Sequence, residues 1–166
     1  MRGTAGAIEG HVEAVAVLLE RYGVDLRPHS HSDDIELYED TAGRLSFELV
    51  GELPEAPSSP GSQVVVREAF EPVGGDLYER TRYGYELLDR GRDYRRAFHM
   101  HSPEWFRERY LVVVHEHCER PNRDVRCAHY EGSPLRDAFA GIVALIDAWT
   151  GDPPDRTTLR CLERWP

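Results

Sequence analysis

The 166-residue sequence contains no lysine, so all twenty of its basic residues are arginine. This absence excludes Schiff-base chemistry on a lysine amine and the phosphate-binding loop motif that requires lysine. Only three residues are cysteine, and an odd, sparse set of this kind favours reduced thiols over a disulfide framework. No apolar run approaches the roughly 18 residues that are needed to span a bilayer.

The N-terminus also lacks the layout of a secretory signal, because charged residues flank the apolar stretch at 14–19 on both sides. We therefore expect a cytoplasmic protein with no membrane partner. A chain of this length is long enough to bury a sizeable core without metal or disulfide support, which predicts a single domain over residues 1–166.

Charge is distributed unevenly along the chain. The net charge of −10 argues against indiscriminate binding to nucleic acid. Residues 1–60 hold twelve acidic residues and four arginines, whereas residues 79–109 hold six acidic residues and eight arginines. One hypothesis from this pattern is a non-catalytic interaction module whose acidic N-terminal third binds a basic protein partner.

Two segments have the periodicity of amphipathic helices. Residues 7–22 carry an apolar stripe and are followed by Gly23, and residues 135–149 carry a second stripe after a cap at Ser133. The first stripe consists of Ile8, Val12, Val15, Leu18 and Leu19, and the second of Leu135, Phe139, Ile142, Val143, Ile146 and Trp149.

Between these helices the chain alternates as strands do. Expected strands lie at 35–38, 45–49, 64–70, 77–88, 94–100, 111–119 and 125–130, with a short helix at 105–110. A Pro/Ser/Gly-rich segment at 53–62 indicates a mobile linker or long loop. The predicted fold is α+β: a mostly antiparallel meander packed by an N-terminal and a C-terminal helix.

Five of the eight histidines fall within 31 residues and form the strongest candidate site. They are His99, His101, His115, His117 and His129. Four of them make two H-x-H pairs, and the two-residue period of a strand places both rings of a pair on one face. Arg95 and Arg96 precede the first pair.

A hairpin turning at 121–124 would pair Cys118 with Cys127 and divide these residues between two faces. Cys118, Cys127 and His129 would share one face, where they could hold zinc as an alternative to packing as buried thiols. His115 and His117 would lie on the other face.

Histidine and arginine suffice for phosphodiester cleavage that uses no cofactor. One neutral imidazole takes a proton from a 2′-hydroxyl, a protonated imidazole donates a proton to the leaving oxygen, and arginine stabilises charge on the phosphate. The candidate catalytic residues are His99, His101, His115, His117, Arg95 and Arg96.

The stretch Tyr83–Asp89, the run from Arg95 to His99, the H-x-H strand and the closing helix resemble the small TumE-type toxins of prokaryotic toxin–antitoxin pairs, over about residues 78–149. This resemblance implies an endonuclease-like activity on RNA and a cognate antitoxin as partner. The resulting hypothesis is a toxin-like, metal-independent endoribonuclease. The interaction module and the zinc-binding protein are its alternatives.

Overall fold

The computed structural model describes residues 1–27, 37–55, 61–100, 114–119, 128–129 and 137–151, and side chains in all of these ranges except 114–119 and 128–129. Within them the protein has two helices, α1 (Ala5–Arg21) and α2 (Ala138–Thr150). Its strands are β1 (Arg2–Thr4), β2 (Asp25–Leu26), β3 (Tyr38–Glu39), β4 (Leu45–Glu52), β5 (Gln63–Gly74), β6 (Leu77–Asp89), β7 (Tyr94–Met100), β8 (Val114–Glu119) and β9 (Ala128–His129).

The strands form one curled antiparallel sheet in the order β2-β4-β5-β6-β7-β8-β9. The short strands β1 and β3 add to it by pairing with β6 and β4 respectively. Both helices pack on one face of the sheet, which confirms the expected α+β fold. Because β4 pairs with β2, β3 and β5, the described strands of the acidic N-terminal third belong to this sheet.

The helix-facing side of the sheet holds the core. Alternate residues of β4, β5, β6 and β7 are buried against the two helices, as expected for a sheet covered on one face. The largest fully buried apolar side chains include Ile8, Leu19, Val66, Phe70, Tyr85, Leu87, Ile142 and Leu145. The opposite face is mixed, because Val50, Val65 and Ala97 lie there beside the polar positions.

Helix α1 begins two residues earlier than its apolar stripe predicted. The Thr4 hydroxyl accepts a hydrogen bond from the Ala7 N–H at 3.3 Å and caps the helix. The stripe positions Ile8, Val12, Val15 and Leu19 are buried, as predicted.

The prediction for α2 needs two corrections. The helix begins at Ala138, because Asp137 is the cap and accepts a hydrogen bond from Ala140 N–H at 3.0 Å; Ser133 lies outside the described residues. Val143, assigned to the core stripe, is 39% exposed, and Leu145 is buried in its place. Buried positions 138, 142, 145 and 146 follow the helical period with a different phase.

The Pro/Ser/Gly-rich segment connects β4 to β5. Its two ends are joined by a hydrogen bond from the Leu53 N–H to the Ser62 carbonyl at 2.9 Å, and both residues are buried. Since β4 pairs with β5 over the whole of its length, from Leu45 with Phe70 to Glu52 with Gln63, the segment joins two neighbouring strands of one sheet. Residues 56–60, like the short helix expected at 105–110, lie outside the described residues.

Candidate functional site

A cavity of about 580 Å³ lies against the curled sheet and crosses strands β3 to β7. Its volume falls within the range of small-molecule sites. Most of the polar side chains that line it come from the face of the sheet opposite the helices: Ser46, Glu48, Arg67, Arg82, Glu86 and His99. Three buried residues, Phe47, Glu68 and Tyr83, complete one side of the lining. We call this the sheet cavity.

Glu86 is the centre of the charged groups in the sheet cavity. Its Oε1 lies 3.2 Å from His99 Nε2, and its Oε2 accepts hydrogen bonds from Arg95 Nε and Nη2 at 3.1 and 2.9 Å. Cross-strand register explains this contact, because Glu86 pairs with Ala97, and Arg95 and His99 flank Ala97 on the same face. Two of the predicted catalytic residues are thus brought together on one carboxylate.

The Glu86 carboxylate is held in its ionised form. The hydrogen bond from His99 and the positive charge of Arg95 outweigh the effect of burial and lower the pKa of Glu86 to about 2. A carboxylate with such a pKa does not donate a proton near neutral pH. Its chemical role is to orient the His99 imidazole and to stabilise a positive charge on that ring.

Two further arginines bring positive charge into the sheet cavity. Arg67 donates to Glu48 and, at 3.4 Å, to Glu86 Oε1. Arg82 is exposed and has neither a hydrogen bond nor an ion pair of its side chain among the described residues. The cavity is lined by three carboxylates, those of Glu48, Glu68 and Glu86, and by the guanidinium groups of Arg67 and Arg82. Arg95 adds a third guanidinium beside Glu86, so the charges of these groups balance.

Arg96 lies on the other face of β7. Adjacent residues of a strand point in opposite directions, and the Arg96 guanidinium sits 5.3 Å from the centroid of the Phe98 ring on the helix-facing side. The structure therefore does not bring Arg96 together with His99, and it separates the two arginines that the sequence hypothesis had grouped.

The backbone register of β8 extends the histidine site by one strand. His115 pairs with His99, and His117 pairs with Ala97, so both positions belong to the same face of the sheet as His99. The hairpin of β8 and β9 has the predicted register in its described pairs, Glu116 with His129 and His117 with Ala128. His101 lies outside the described residues.

The predicted zinc ligands belong to the opposite face. Cys118 pairs with Arg96 and His129 pairs with Glu116, which places both positions on the helix-facing side in the backbone register. Cys127 lies outside the described residues. Among the residues whose side chains are described, no group of three histidine, cysteine or carboxylate residues is arranged to hold a metal. The zinc hypothesis stays a prediction.

A second charged cluster is buried between α1 and the sheet. The Glu68 carboxylate accepts hydrogen bonds from Arg80 Nη1 at 2.6 Å and from the Tyr85 hydroxyl, and it lies 2.8 Å from His11 Nε2. Arg80 also donates to the Tyr85 hydroxyl at 2.8 Å and lies over the Tyr83 ring. We call this the buried network.

A β-bulge in β6 places the Arg80 side chain in the buried network. Ala69 pairs with Arg82 and the next residue, Phe70, pairs with Arg80, so Thr81 is an extra residue in β6. The bulge reverses the alternation and turns Arg80 toward the core. Since the Glu68 side chain is fully buried and those of Arg80 and His11 are 4% and 7% exposed, this cluster is part of the core.

The hydrogen bonds and ion pairs of the buried network determine which of its groups are ionised. Burial alone would raise the pKa of Glu68, but the His11 hydrogen bond and the Arg80 charge outweigh it, so the pKa lies below its ordinary value. Burial and the neighbouring carboxylate raise the pKa of Tyr85. The phenol therefore stays neutral and donates, and the network contributes to stability.

Sequence reasoning missed Glu86, Arg67, Glu48 and Arg82. The signal for Glu86 was present, because Tyr83, Tyr85 and Leu87 alternate as the core face of β6 and leave Gly84 and Glu86 on the opposite face. The arginine and glutamate positions on β4 and β5 carried no comparable signal, since exposed ion pairs are common on any sheet.

No family model, curated protein or solved structure matches this chain. The resemblance to TumE-type toxins therefore stays a prediction from sequence. No helix in the described part of the chain is both long and apolar enough to cross a membrane.

Proposed function

We propose that this protein is a metal-independent endoribonuclease whose active site is the sheet cavity. The observation that carries the proposal is the pairing of the His99 imidazole with the ionised Glu86 carboxylate beside Arg95 and Arg67. The backbone register sets His115 opposite His99, and we assign to His115 the second imidazole of the reaction. These are the groups that the cleavage of an RNA phosphodiester requires.

His99 acts as the general base. With its proton on Nε2 donated to Glu86, the neutral ring carries its lone pair on Nδ1, and this nitrogen removes the proton from a 2′-hydroxyl. The 2′-oxygen then attacks the adjacent phosphorus. Glu86 stabilises the imidazolium that forms, as the carboxylate of a catalytic triad does.

Departure of the 5′-oxygen completes the reaction. The P–O5′ bond breaks, His115 in its protonated form donates a proton to the leaving oxygen, and the products are a 2′,3′-cyclic phosphate and a 5′-hydroxyl end. Arg95 and Arg67 stabilise the charge on the phosphoryl oxygens, because a guanidinium has five donors and can hold a carboxylate and a phosphate oxygen together. Every proton is transferred between named groups, so the reaction needs no further reactant.

Cleavage of a labelled single-stranded RNA in the presence of EDTA tests the proposal. We expect products with a cyclic phosphate and a 5′-hydroxyl, and no cleavage of DNA of the same sequence, because DNA lacks the nucleophilic 2′-oxygen. Cleavage of the DNA, or products with a 5′-phosphate, would contradict the mechanism.

Variants identify the residues responsible. We expect His99→Ala to lower the rate by about 10²- to 10⁴-fold, and His115→Ala to have a comparable effect. Arg95→Gln should lower it as well, whereas Arg27→Gln is the matched control, since Arg27 is exposed and pairs with Glu52 at the edge strand β2. Full activity in His99→Ala protein purified in the same way would refute the assignment.

The same proposal includes a role for the protein as a toxin. If the sheet cavity cleaves cellular RNA, induced expression of the wild-type protein arrests bacterial growth and His99→Ala protein, expressed to the same level, does not. Coexpression of a neighbouring gene that restores growth would identify the antitoxin. Equal growth arrest by both proteins would mean that toxicity does not arise from this site.

A further inference from the structure

Tyr38 is the most exposed large apolar side chain in the described part of the protein, at 66%, and it lines the sheet cavity. We propose that Tyr38 is a stacking platform for a nucleobase and that the ligand of the cavity is a single strand of RNA several nucleotides long. This inference rests on the proposed function, since the same cavity would hold the scissile phosphate. It adds the class of RNA and a residue that binds it.

The backbone around Tyr38 is held in place by the following turn. Tyr38 pairs with Ser46 across the β3–β4 hairpin. Asp40 organises the turn: its Oδ1 accepts the N–H groups of Ala42 and Arg44 at 2.8 and 2.9 Å, and its Oδ2 accepts Arg44 Nε at 2.7 Å. An aromatic ring on a fixed backbone loses little conformational freedom when a flat ligand stacks on it.

Positive charge accompanies the aromatic ring. Arg82 lines the same cavity, is exposed, and makes no side-chain hydrogen bond or ion pair with any described residue. Its guanidinium is suited to bind a phosphate oxygen between the stacked base and the catalytic residues. An exposed aromatic ring combined with arginines along a groove is the composition that binds single-stranded nucleic acid.

The strand pairing gives the separation between Tyr38 and the proposed catalytic residue His99. Tyr38 pairs with Ser46, Ser46 with Ala69 and Ala69 with Arg82, and His99 is on the next strand. Four strand spacings separate Tyr38 from His99, which is roughly 19 Å measured over the surface of the curled sheet. Tyr38 therefore binds a nucleotide other than those at the cleaved bond, and a duplex, whose bases are stacked on each other, cannot use it.

Binding can be measured without cleavage. The probe is a fluorescein-labelled octamer of 2′-O-methyl RNA, which lacks the nucleophilic hydroxyl, and the measurement is fluorescence anisotropy on the full-length protein. We expect Tyr38→Ala and Tyr38→Leu to weaken binding by about 5- to 150-fold, and Tyr38→Phe to bind as the wild type does. Tyr22→Ala is the matched control, because Tyr22 is an exposed tyrosine at the end of α1 and does not line the cavity.

Cleavage kinetics separate this inference from the proposed function. In the Tyr38→Ala protein we expect the KM for an RNA octamer to rise while the cleavage of a dinucleotide, which is too short to reach Tyr38, is unchanged. Octamer binding that is insensitive to Tyr38→Ala would overturn the inference even if wild-type protein cleaves RNA. Tyr38-dependent binding without any cleavage would instead support the inference and refute the nuclease.

Discussion

Replacement of Glu68 with glutamine removes the only negative charge from the buried network and keeps the shape of the side chain. In the wild type this carboxylate neutralises Arg80, whose side chain is 4% exposed, and contacts His11 as well. The variant takes from the Arg80 guanidinium the buried carboxylate that accepts its hydrogen bond at 2.6 Å. Loss of one partner of a buried ion pair costs about 3–5 kcal/mol, a large fraction of the 5–15 kcal/mol that stabilises a typical domain.

The assay is urea unfolding at pH 7, followed by circular dichroism. Glu52→Gln is the matched control, because the Glu52–Arg27 pair is exposed on both sides and a surface pair contributes about 0–1 kcal/mol. We expect the free energy of unfolding of Glu68→Gln to fall by about 3 kcal/mol or more relative to this control. Equal unfolding curves for the two variants would show that the buried network does not stabilise the fold.

Unfolding at lower pH tests independently whether the ionised form of Glu68 stabilises the fold. The pKa of Glu68 is lowered in the folded protein, so the folded state favours its ionised form. The stability that this shift contributes is fully present above the unfolded pKa, near 4.5, and is lost as the pH falls through the folded pKa. The difference between wild type and Glu68→Gln should therefore shrink below about pH 4, and a difference that grows on acidification would contradict the assignment.

Two further predictions concern packing and helix ends. Gly141→Ala should destabilise the protein by about 1–3 kcal/mol, because a Cβ there overlaps the Tyr85 ring. Gly10→Ala lies in open space on α1 and should stabilise the protein by about 0.5–1 kcal/mol. Thermal denaturation in which both variants shift the stability in the same direction would refute this. Arg92→Ala should lower the free energy of unfolding in urea by about 2–3 kcal/mol, because Arg92 donates to buried Asp89 and to the last carbonyls of α2. Arg90→Ala, exposed in the same turn, should change that free energy by less than about 0.5 kcal/mol. Equal losses in the two variants would contradict the capping role of Arg92.

Local sequence patterns predicted the elements that local interactions determine. The bounds of β7 were predicted as found, and those of β6 to within one residue, because alternating aromatic residues end at a turn built on Asp89. Four of the five stripe positions predicted for α1 are buried, and Leu18 is half-buried. The start of α2 was placed too early, since a serine and an aspartate four residues apart are equally good caps from sequence alone.

The candidate site was predicted only in part, because its members come from strands that are distant in sequence. The H-x-H pattern and the hairpin turn placed His115 and His117 on one face of their strand, but the register that sets His115 opposite His99 was not predicted. The two-residue period, applied strictly, would also have separated Arg95 from Arg96. His11 and Glu68 are 57 residues apart, and no local pattern relates them.

The buried network and the sheet cavity are connected through neighbouring residues of two central strands. On β5, Arg67 faces the cavity and Glu68 the core; on β6, Tyr85 faces the core and Glu86 the cavity. A slip of one residue in either strand would move a charged group into the apolar core and remove its partner. The hydrogen bonds of Glu68 to Tyr85 and Arg80 therefore favour the register of β5 against β6 that brings Arg67 to Glu86. A core interaction with no chemistry of its own thus supports one of the contacts of the candidate active site.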